Sequence, residues 1–155
     1  MMKKILAITL CLVMGVSAAA CSSKAAANVE GTLAELLAKI YANAGVESPM
    51  TFDSELTADN VAYMLGTADV AYTEGLASEA AIMSIPHSLI IFRTAENADI
   101  EAIKTAIKSN IDPRKWICVG VDPENVIVDS LGDLVFVVMS NEAAAYHESF
   151  LKLAE

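Results

Sequence analysis

The first twenty residues have the pattern of a segment that is removed, and the rest of the chain has the pattern of a segment that folds. Lys3 and Lys4 give a positive start, an apolar run covers 5–16, and small residues fill 17–20. This layout is typical of a secretory signal peptide, and the run is shorter than the about 20 residues that span a bilayer. We therefore predict a signal peptide over 1–20, a tether over 21–30 and one domain over 31–155.

Cys21 follows directly after the small residues and precedes Ser22 and Ser23. This arrangement resembles a bacterial lipobox, whose cysteine is acylated and becomes the mature N-terminus, although Ala18 stands where leucine is usual. The resemblance implies lipidation of Cys21 with palmitate-type chains and a lipid-anchored protein on the extracytoplasmic face of the cell membrane. The alternatives are a secreted protein without lipid and an uncleaved anchor helix.

The charge of the mature chain excludes some classes of partner. Loss of Lys3 and Lys4 leaves 8 Lys and Arg against 20 Asp and Glu, so the formal net charge changes from −10 to −12. Such acidity argues against nucleic acid and against electrostatic adhesion to an anionic membrane. The cysteines are too few for a disulfide scaffold, and Cys118, within an apolar run, is expected to be a buried, inert thiol.

Hydrophobic periodicity predicts four helices and five strands. The fold class is α+β: hairpins dominate, so we expect one small domain with a mostly antiparallel sheet and helices packed on one face. A segment over 50–56 is expected to be irregular or a short strand. The predicted helices cover 31–43, 57–66, 97–110 and 141–154, and the predicted strands cover 70–80, 85–94, 116–121, 126–129 and 134–139.

Three stretches carry a family resemblance. The segments SIPHSLIIFR (84–93), DPRKWICVGVDPENVIVDS (112–130) and LVFVVM (134–139) resemble the bacterial lipoproteins known as domain of unknown function 4358. The resemblance covers about residues 31–140. It implies a lipoprotein signal, a short tether and one domain, and it implies no activity, ligand or catalytic residue.

The sequence contains no motif for catalysis, metal binding or cofactor binding. His87 and His147 lie sixty residues apart, and no zinc, redox, phosphate-loop or nucleophile-elbow pattern occurs. The carboxylates between 122 and 133 do not match a calcium loop; solvated turns are favoured, with a weak calcium site as the alternative. We therefore predict no metal, no cofactor and no enzymatic activity.

Five residues are candidate ligand contacts. Arg114, Lys115 and Trp116 form a local basic spot that could hold an anionic or carbohydrate ligand, or could simply connect a helix to a strand. His87 begins a predicted strand as a pH-sensitive or ligand-contacting group, or as a histidine satisfied by the backbone. Arg93 ends the same strand, where it could instead extend its charged group to solvent or pair with a helix carboxylate.

These observations predict a membrane-anchored extracytoplasmic lipoprotein with a small binding or interaction domain. Its expected partners are the membrane, through the lipid anchor, and an envelope protein or a small anionic or carbohydrate ligand. One alternative is an enzyme that acts on a cell-envelope substrate through His87, Arg93 and Asp129. The other is a purely structural domain.

Overall fold

Two apolar runs form the centre of a five-stranded antiparallel sheet in the computed structural model, which describes residues 28–155. The strand order is β1-β2-β3-β5-β4, and every neighbouring pair is antiparallel. The α+β class and the single small domain are thereby confirmed. The elements are α1 (Leu33–Asn43), β1 (Thr51–Glu55), α2 (Val61–Leu65), β2 (Tyr72–Ala80), β3 (His87–Thr94), α3 (Ile100–Asn110), β4 (Val126–Leu131), β5 (Leu134–Ser140) and α4 (Ala143–Leu151), with 3-10 turns at Pro123–Asn125 and Lys152–Ala154.

The helices lie on both faces of the sheet, so the expectation of one covered face is wrong. Ile90 and Phe92 of β3 pack into a core with α2 and α3, whereas Leu89 and Ile91 pack into a second core with α1 and α4. Alternate residues of a strand point to opposite faces, and all four are fully buried. A continuous apolar run such as this one needs cover on both sides.

One expectation about an individual strand is confirmed and another is corrected. Thr51–Glu55, within the segment expected to be irregular or a short strand, forms the short edge strand β1, which lies between α1 and α2 in the chain. Residues 116–121 form no strand, because the chain turns back on itself: Val121 N–H donates to the Pro113 carbonyl at 2.9 Å, and Cys118 has a φ of +66°. Cys118 is exposed, contrary to the buried thiol expected.

The sheet has two ends that matter for function. At one end, Arg93 donates to the carbonyls of Val29 and Gly31 at 2.8 and 3.0 Å. These bonds hold residues 28–31, which we call the leading segment of the domain, at this end of the sheet. His87 begins the same strand and pairs with Ser140 at the opposite end. We call these the Arg93 end and the His87 end. The eight residues of β3 separate them by about 25 Å.

Candidate functional site

His87 is buried between two helices at the His87 end. Its ring lies on the sheet face that α1 and α4 cover, and the residue is 1% exposed. Nε2 shares a hydrogen bond of 2.8 Å with the hydroxyl of Tyr41 from α1, and the ring of Tyr146 from α4 packs edge-on with its centroid 5.2 Å away. The histidine is therefore held from both sides by aromatic rings.

The second ring nitrogen of His87 is unsatisfied. Among the buried side-chain nitrogens and oxygens of residues 28–155, Nδ1 of His87 is the one without a hydrogen-bond partner. A buried polar atom in this state costs about 1–3 kcal/mol, and such atoms are uncommon in folded proteins. The expectation of a histidine satisfied by the backbone is therefore not met at Nδ1.

A cavity of about 320 Å³ opens beside this histidine. His87, Tyr146 and Ser48 line it, and the hydroxyls of Ser48 and Tyr146 share a hydrogen bond of 2.9 Å. Glu47 and Glu142 also line the cavity, whereas none of the lysines and arginines in the described part of the chain does. The cavity thus combines apolar walls, hydroxyl groups and two carboxylate residues.

The three aromatic groups beside the cavity, His87, Tyr41 and Tyr146, are neutral at physiological pH. Burial lowers the pKa of His87 to about 4, because the imidazolium form would lose its hydration. Burial raises the pKa of both Tyr41 and Tyr146 above the ordinary value. The neutral imidazole has one donor and one acceptor nitrogen, so Nδ1 takes whichever role Nε2 does not take toward Tyr41.

A wider cleft of about 980 Å³ lies at the Arg93 end. It is lined by Asn28, the first described residue, and by Asp133, whose backbone N–H donates to the Asn28 side chain at 3.2 Å. The leading segment of the domain already contacts this cleft. Buried polar side-chain atoms with no partner are not found there among residues 28–155. The His87 cavity is therefore the stronger candidate for a ligand site.

The predicted basic spot is mostly inside the protein. Trp116 is 7% exposed and belongs to the core with α2 and α3, so its ring offers no free stacking face. The side chain of Lys115 is 3% exposed, and its Nζ lies 3.0 Å from Oε1 of Glu79 and 3.2 Å from Oγ of Ser88. Arg114 alone is exposed. The structure corrects the expected ligand platform of Arg114, Lys115 and Trp116, because two of its three residues are covered.

Lys115 is enclosed by polar and aromatic groups. Its Nζ lies 5.2 Å from the ring centroid of Tyr63 and 5.5 Å from that of Trp116. Burial lowers its pKa, and the carboxylate of Glu79 opposes this effect. The side chain joins the 111–121 connection to β2 and β3, which is a structural role.

Arg93 is also engaged by protein groups. Besides the two carbonyls of the leading segment, it pairs with Asp133 at 3.0 Å and with Glu74 at 3.2 Å. The expectation that Arg93 pairs with a helix carboxylate is corrected: Asp133 follows β4 in the turn to β5, and Glu74 lies on β2.

The structure does not bring together the three residues of the enzyme alternative. His87 and Arg93 lie at opposite ends of β3. Asp129 accepts a hydrogen bond of 2.7 Å from His147 and lies 3.5 Å from Nζ of Lys104. Although burial alone would raise it, the bond from His147 and the neighbouring Lys104 hold the pKa of Asp129 below its ordinary value. Each member of the trio has its own partners, so the three form no common site.

Other sequence expectations concern metals, lipid and membrane. Among residues 28–155, no group of three His, Cys, Asp or Glu side chains is arranged to hold a metal ion. Within the same range, none of the helices has the length and apolar character needed to cross a bilayer. The predicted signal peptide and Cys21 lie outside the described residues.

Sequence reasoning missed Tyr41, Tyr146 and Ser48. Both tyrosines lie on the apolar faces of their helices, against the core that α1 and α4 share, and a buried tyrosine hydroxyl needs a partner. That requirement is the signal that could have pointed to His87. Ser48 has no comparable signal, because it lies in the connection between α1 and β1.

Comparison with protein families, curated proteins and solved structures finds no match to this chain. The resemblance to domain of unknown function 4358 therefore remains a prediction.

Proposed function

We propose that this chain is a membrane-anchored extracytoplasmic lipoprotein whose domain binds a small amine-bearing solute in the cavity beside His87. The observation that carries the proposal is the unpartnered Nδ1 of a 1%-exposed histidine that lines a cavity. A hydroxyl or carbonyl group of a ligand would satisfy this nitrogen and remove its cost.

The lining of the cavity supports a particular class of ligand. A volume of about 320 Å³ is at the lower end of the range for small-molecule sites. Glu47 and Glu142 favour a neutral or cationic solute and disfavour an anion, because no lysine or arginine of residues 28–155 lines the cavity. Ile85 and Pro86 add apolar surface. An amino sugar combines hydroxyl groups, an apolar ring face and an amine, and it is our choice among envelope components.

Nuclear magnetic resonance titration of the full chain tests the binding proposal with three probes: D-glucosamine, N-acetylglucosamine and glucose 6-phosphate. We expect the first to shift the resonances of His87 and Tyr146 at millimolar concentration, the second to shift them less, and the third to leave them unmoved. His87→Gln should abolish the shift at Tyr146, whereas His147→Gln, the matched control, should retain it. Resonances that stay unmoved by glucosamine, or that move equally with all three probes, would contradict the proposal.

The anchor is tested separately through the two cysteines of the mature chain. Cells are fed an alkyne analogue of palmitate, and the protein is isolated and examined for label. We expect Cys21→Ser to lose both the label and the membrane retention, and the matched control Cys118→Ser to keep them. Label that persists in Cys21→Ser would exclude lipidation at this position.

A further inference from the structure

β1 is an open edge of the sheet. Leu56 N–H donates to the Gly75 carbonyl at 2.9 Å, and Ala81 N–H donates to the Met50 carbonyl at 2.8 Å. In an antiparallel pair, alternate residues turn their backbone groups toward the neighbour, so the even-numbered residues from 50 to 56 face β2. The backbone groups of Thr51, Asp53 and Glu55 therefore face away from the sheet, where no further strand follows among residues 28–155.

The opposite edge, β4, is protected. The backbone of Ser130 faces outward there, but the side chain of Asp129 accepts its N–H at 2.8 Å. Both α3 and α4 also contact β4. Among residues 28–155, the comparable protection of β1 is limited to the carbonyl of Glu55, which accepts a hydrogen bond of 2.8 Å from the side-chain amide of Asn60. Protein edges are usually blunted, and an unprotected edge can accept another strand.

The side chains along β1 give this edge an apolar face and an acidic charge. Phe52 and Met50 are 67% and 77% exposed. Phe52 lies opposite Glu79, and Asp53 and Glu55 follow in the same strand, which contains no basic residue. An added strand would therefore meet apolar surface on one face and negative charge along its length.

We propose that β1 binds an extended segment of a partner protein, in which apolar and basic residues alternate, as a sixth strand of the sheet. Strand addition obtains its affinity from main-chain hydrogen bonds and its specificity from alternate side chains. The outward-facing backbone groups of Thr51 and Asp53 would form the main-chain hydrogen bonds. The exposed ring of Phe52 and the carboxylates of Asp53 and Glu55 would select the side chains of the partner strand.

A second copy of the chain is a poorer occupant of this edge. If β1 paired with itself antiparallel and in full register, Asp53 would lie opposite its own copy, and like charges directly opposite are destabilising. The formal net charge of −12 expected for the mature chain also opposes self-association.

The membrane is a poorer occupant as well, a step that rests on the proposed lipid anchor. Met50 continues from β1 at the His87 end, whereas Val29 is tied at the Arg93 end, where the tether would begin. The apolar residues Met50 and Phe52 are thus presented near the end of the domain that lies away from the anchor. The carboxylates of Asp53 and Glu55 would also be repelled by anionic lipid.

The test uses the full chain in lipid nanodiscs and two fluorescent heptapeptides, one alternating lysine with valine and one alternating glutamate with valine. We expect the lysine peptide to bind and the glutamate peptide not to bind. Thr51→Pro removes one outward N–H and no bond to β2, so it should weaken binding by roughly tenfold. Thr51→Val keeps the N–H and should bind as the parent does. Equal binding by Thr51→Pro, or equal binding of both peptides, would overturn the proposal.

Hydrogen exchange of the parent protein provides a second readout in case Thr51→Pro does not fold. The lysine peptide should slow exchange of the amides of Thr51, Asp53 and Glu55 by about tenfold or more. Unchanged exchange would overturn the proposal, as would protection by anionic vesicles alone or by self-association without peptide. The Cys21→Ser variant should bind the peptide equally, so failure of the anchor and failure of the edge proposal are distinguishable.

Discussion

The ammonium of Lys115 lies 3.0 Å from Oε1 of Glu79, at a point where the lysine side chain is 3% exposed. Ser88 also donates to the same carboxylate oxygen. The pair joins the 111–121 connection to the two strands that carry Glu79 and Ser88. A lysine at this depth depends on its partner, because an uncompensated buried charge is costly.

We expect Glu79→Ala to lower the free energy of unfolding by about 3 kcal/mol, measured by urea denaturation, because it leaves the ammonium of Lys115 unpaired. Glu101→Ala is the matched control. It removes an exposed pair with Lys104 at 2.9 Å and should cost less than about 1 kcal/mol. The double variant Glu79→Ala/Lys115→Met should recover part of the loss. Equal effects of the two single changes would contradict the structural role of the buried pair.

The burial of His87 predicts a dependence of stability on pH. Its pKa is about 4 in the folded protein, against about 6.5 when unfolded, so the unfolded chain binds a proton more readily. The stabilisation from the neutral ring is complete above pH 6.5 and is lost as the pH falls toward 4. Between pH 7 and pH 5 the loss from this group should be roughly 2 kcal/mol.

Denaturation curves at several pH values between 7 and 5 check this expectation, in a window above the range where most carboxylates titrate. His87→Gln should flatten the pH dependence, because glutamine has no proton to gain. His147→Gln leaves the buried ring in place and should retain the fall in stability. A slope that survives in His87→Gln would assign the effect to another group.

Several elements were predictable because their patterns are local. Thr32 caps α1 and forms a reciprocal pair of bonds with Glu35, and the turn after β4 uses Gly132 with a φ of +57°. Periodicity identifies these elements without any knowledge of the tertiary fold. The continuous apolar run of β3 also indicates that both sheet faces are covered, whereas the number of hairpins indicates only that the sheet is antiparallel.

The candidate site was less predictable because its contacts are distant in the sequence. Tyr41 lies 46 residues from His87. The 116–121 segment was predicted wrongly for a different reason: its apolar run is typical of a strand, but the segment forms none. A Cβ at Gly120 would lie 2.8 Å from the Pro113 carbonyl, so this segment folds tightly onto itself. Cys118 takes the left-handed conformation within it, and neither fact follows from composition.

Gly66 and Gly45 both have positive φ, +76° and +70°, but their surroundings differ. A Cβ at Gly66 would lie 2.3 Å from the backbone of Asn110, whereas a Cβ at Gly45 would meet nothing within 4 Å. We expect Gly45→Ala to lower the free energy of unfolding by about 1 kcal/mol, because alanine would have to adopt the left-handed conformation. Gly66→Ala should cost at least about 3 kcal/mol, because α2 must also shift from α3. Thermal denaturation of the two variants measures the difference, and equal costs would contradict the close approach.

The hydrogen bonds of Arg93 predict that this side chain holds the leading segment, residues 28–31, in place. Its guanidinium binds the carbonyls of Val29 and Gly31 while pairing with Asp133, a geometry that requires the planar fork. Arg93→Lys keeps the charge but loses the fork, so residues 28–31 should become more mobile on the picosecond-to-nanosecond timescale. Heteronuclear nitrogen relaxation of those residues measures this change.

Arg114→Lys is the control for the change of residue type, because Arg114 is exposed. It should leave the relaxation of residues 28–31 as it is in the parent protein. The free energy of unfolding of Arg93→Lys should fall by about 2 kcal/mol, since the part-buried carbonyl of Val29 and the exposed carbonyl of Gly31 lose a charged donor. If the relaxation of residues 28–31 were the same in both variants, another contact would hold the leading segment, and the Asn28 side chain at the Asp133 N–H would be the next to test.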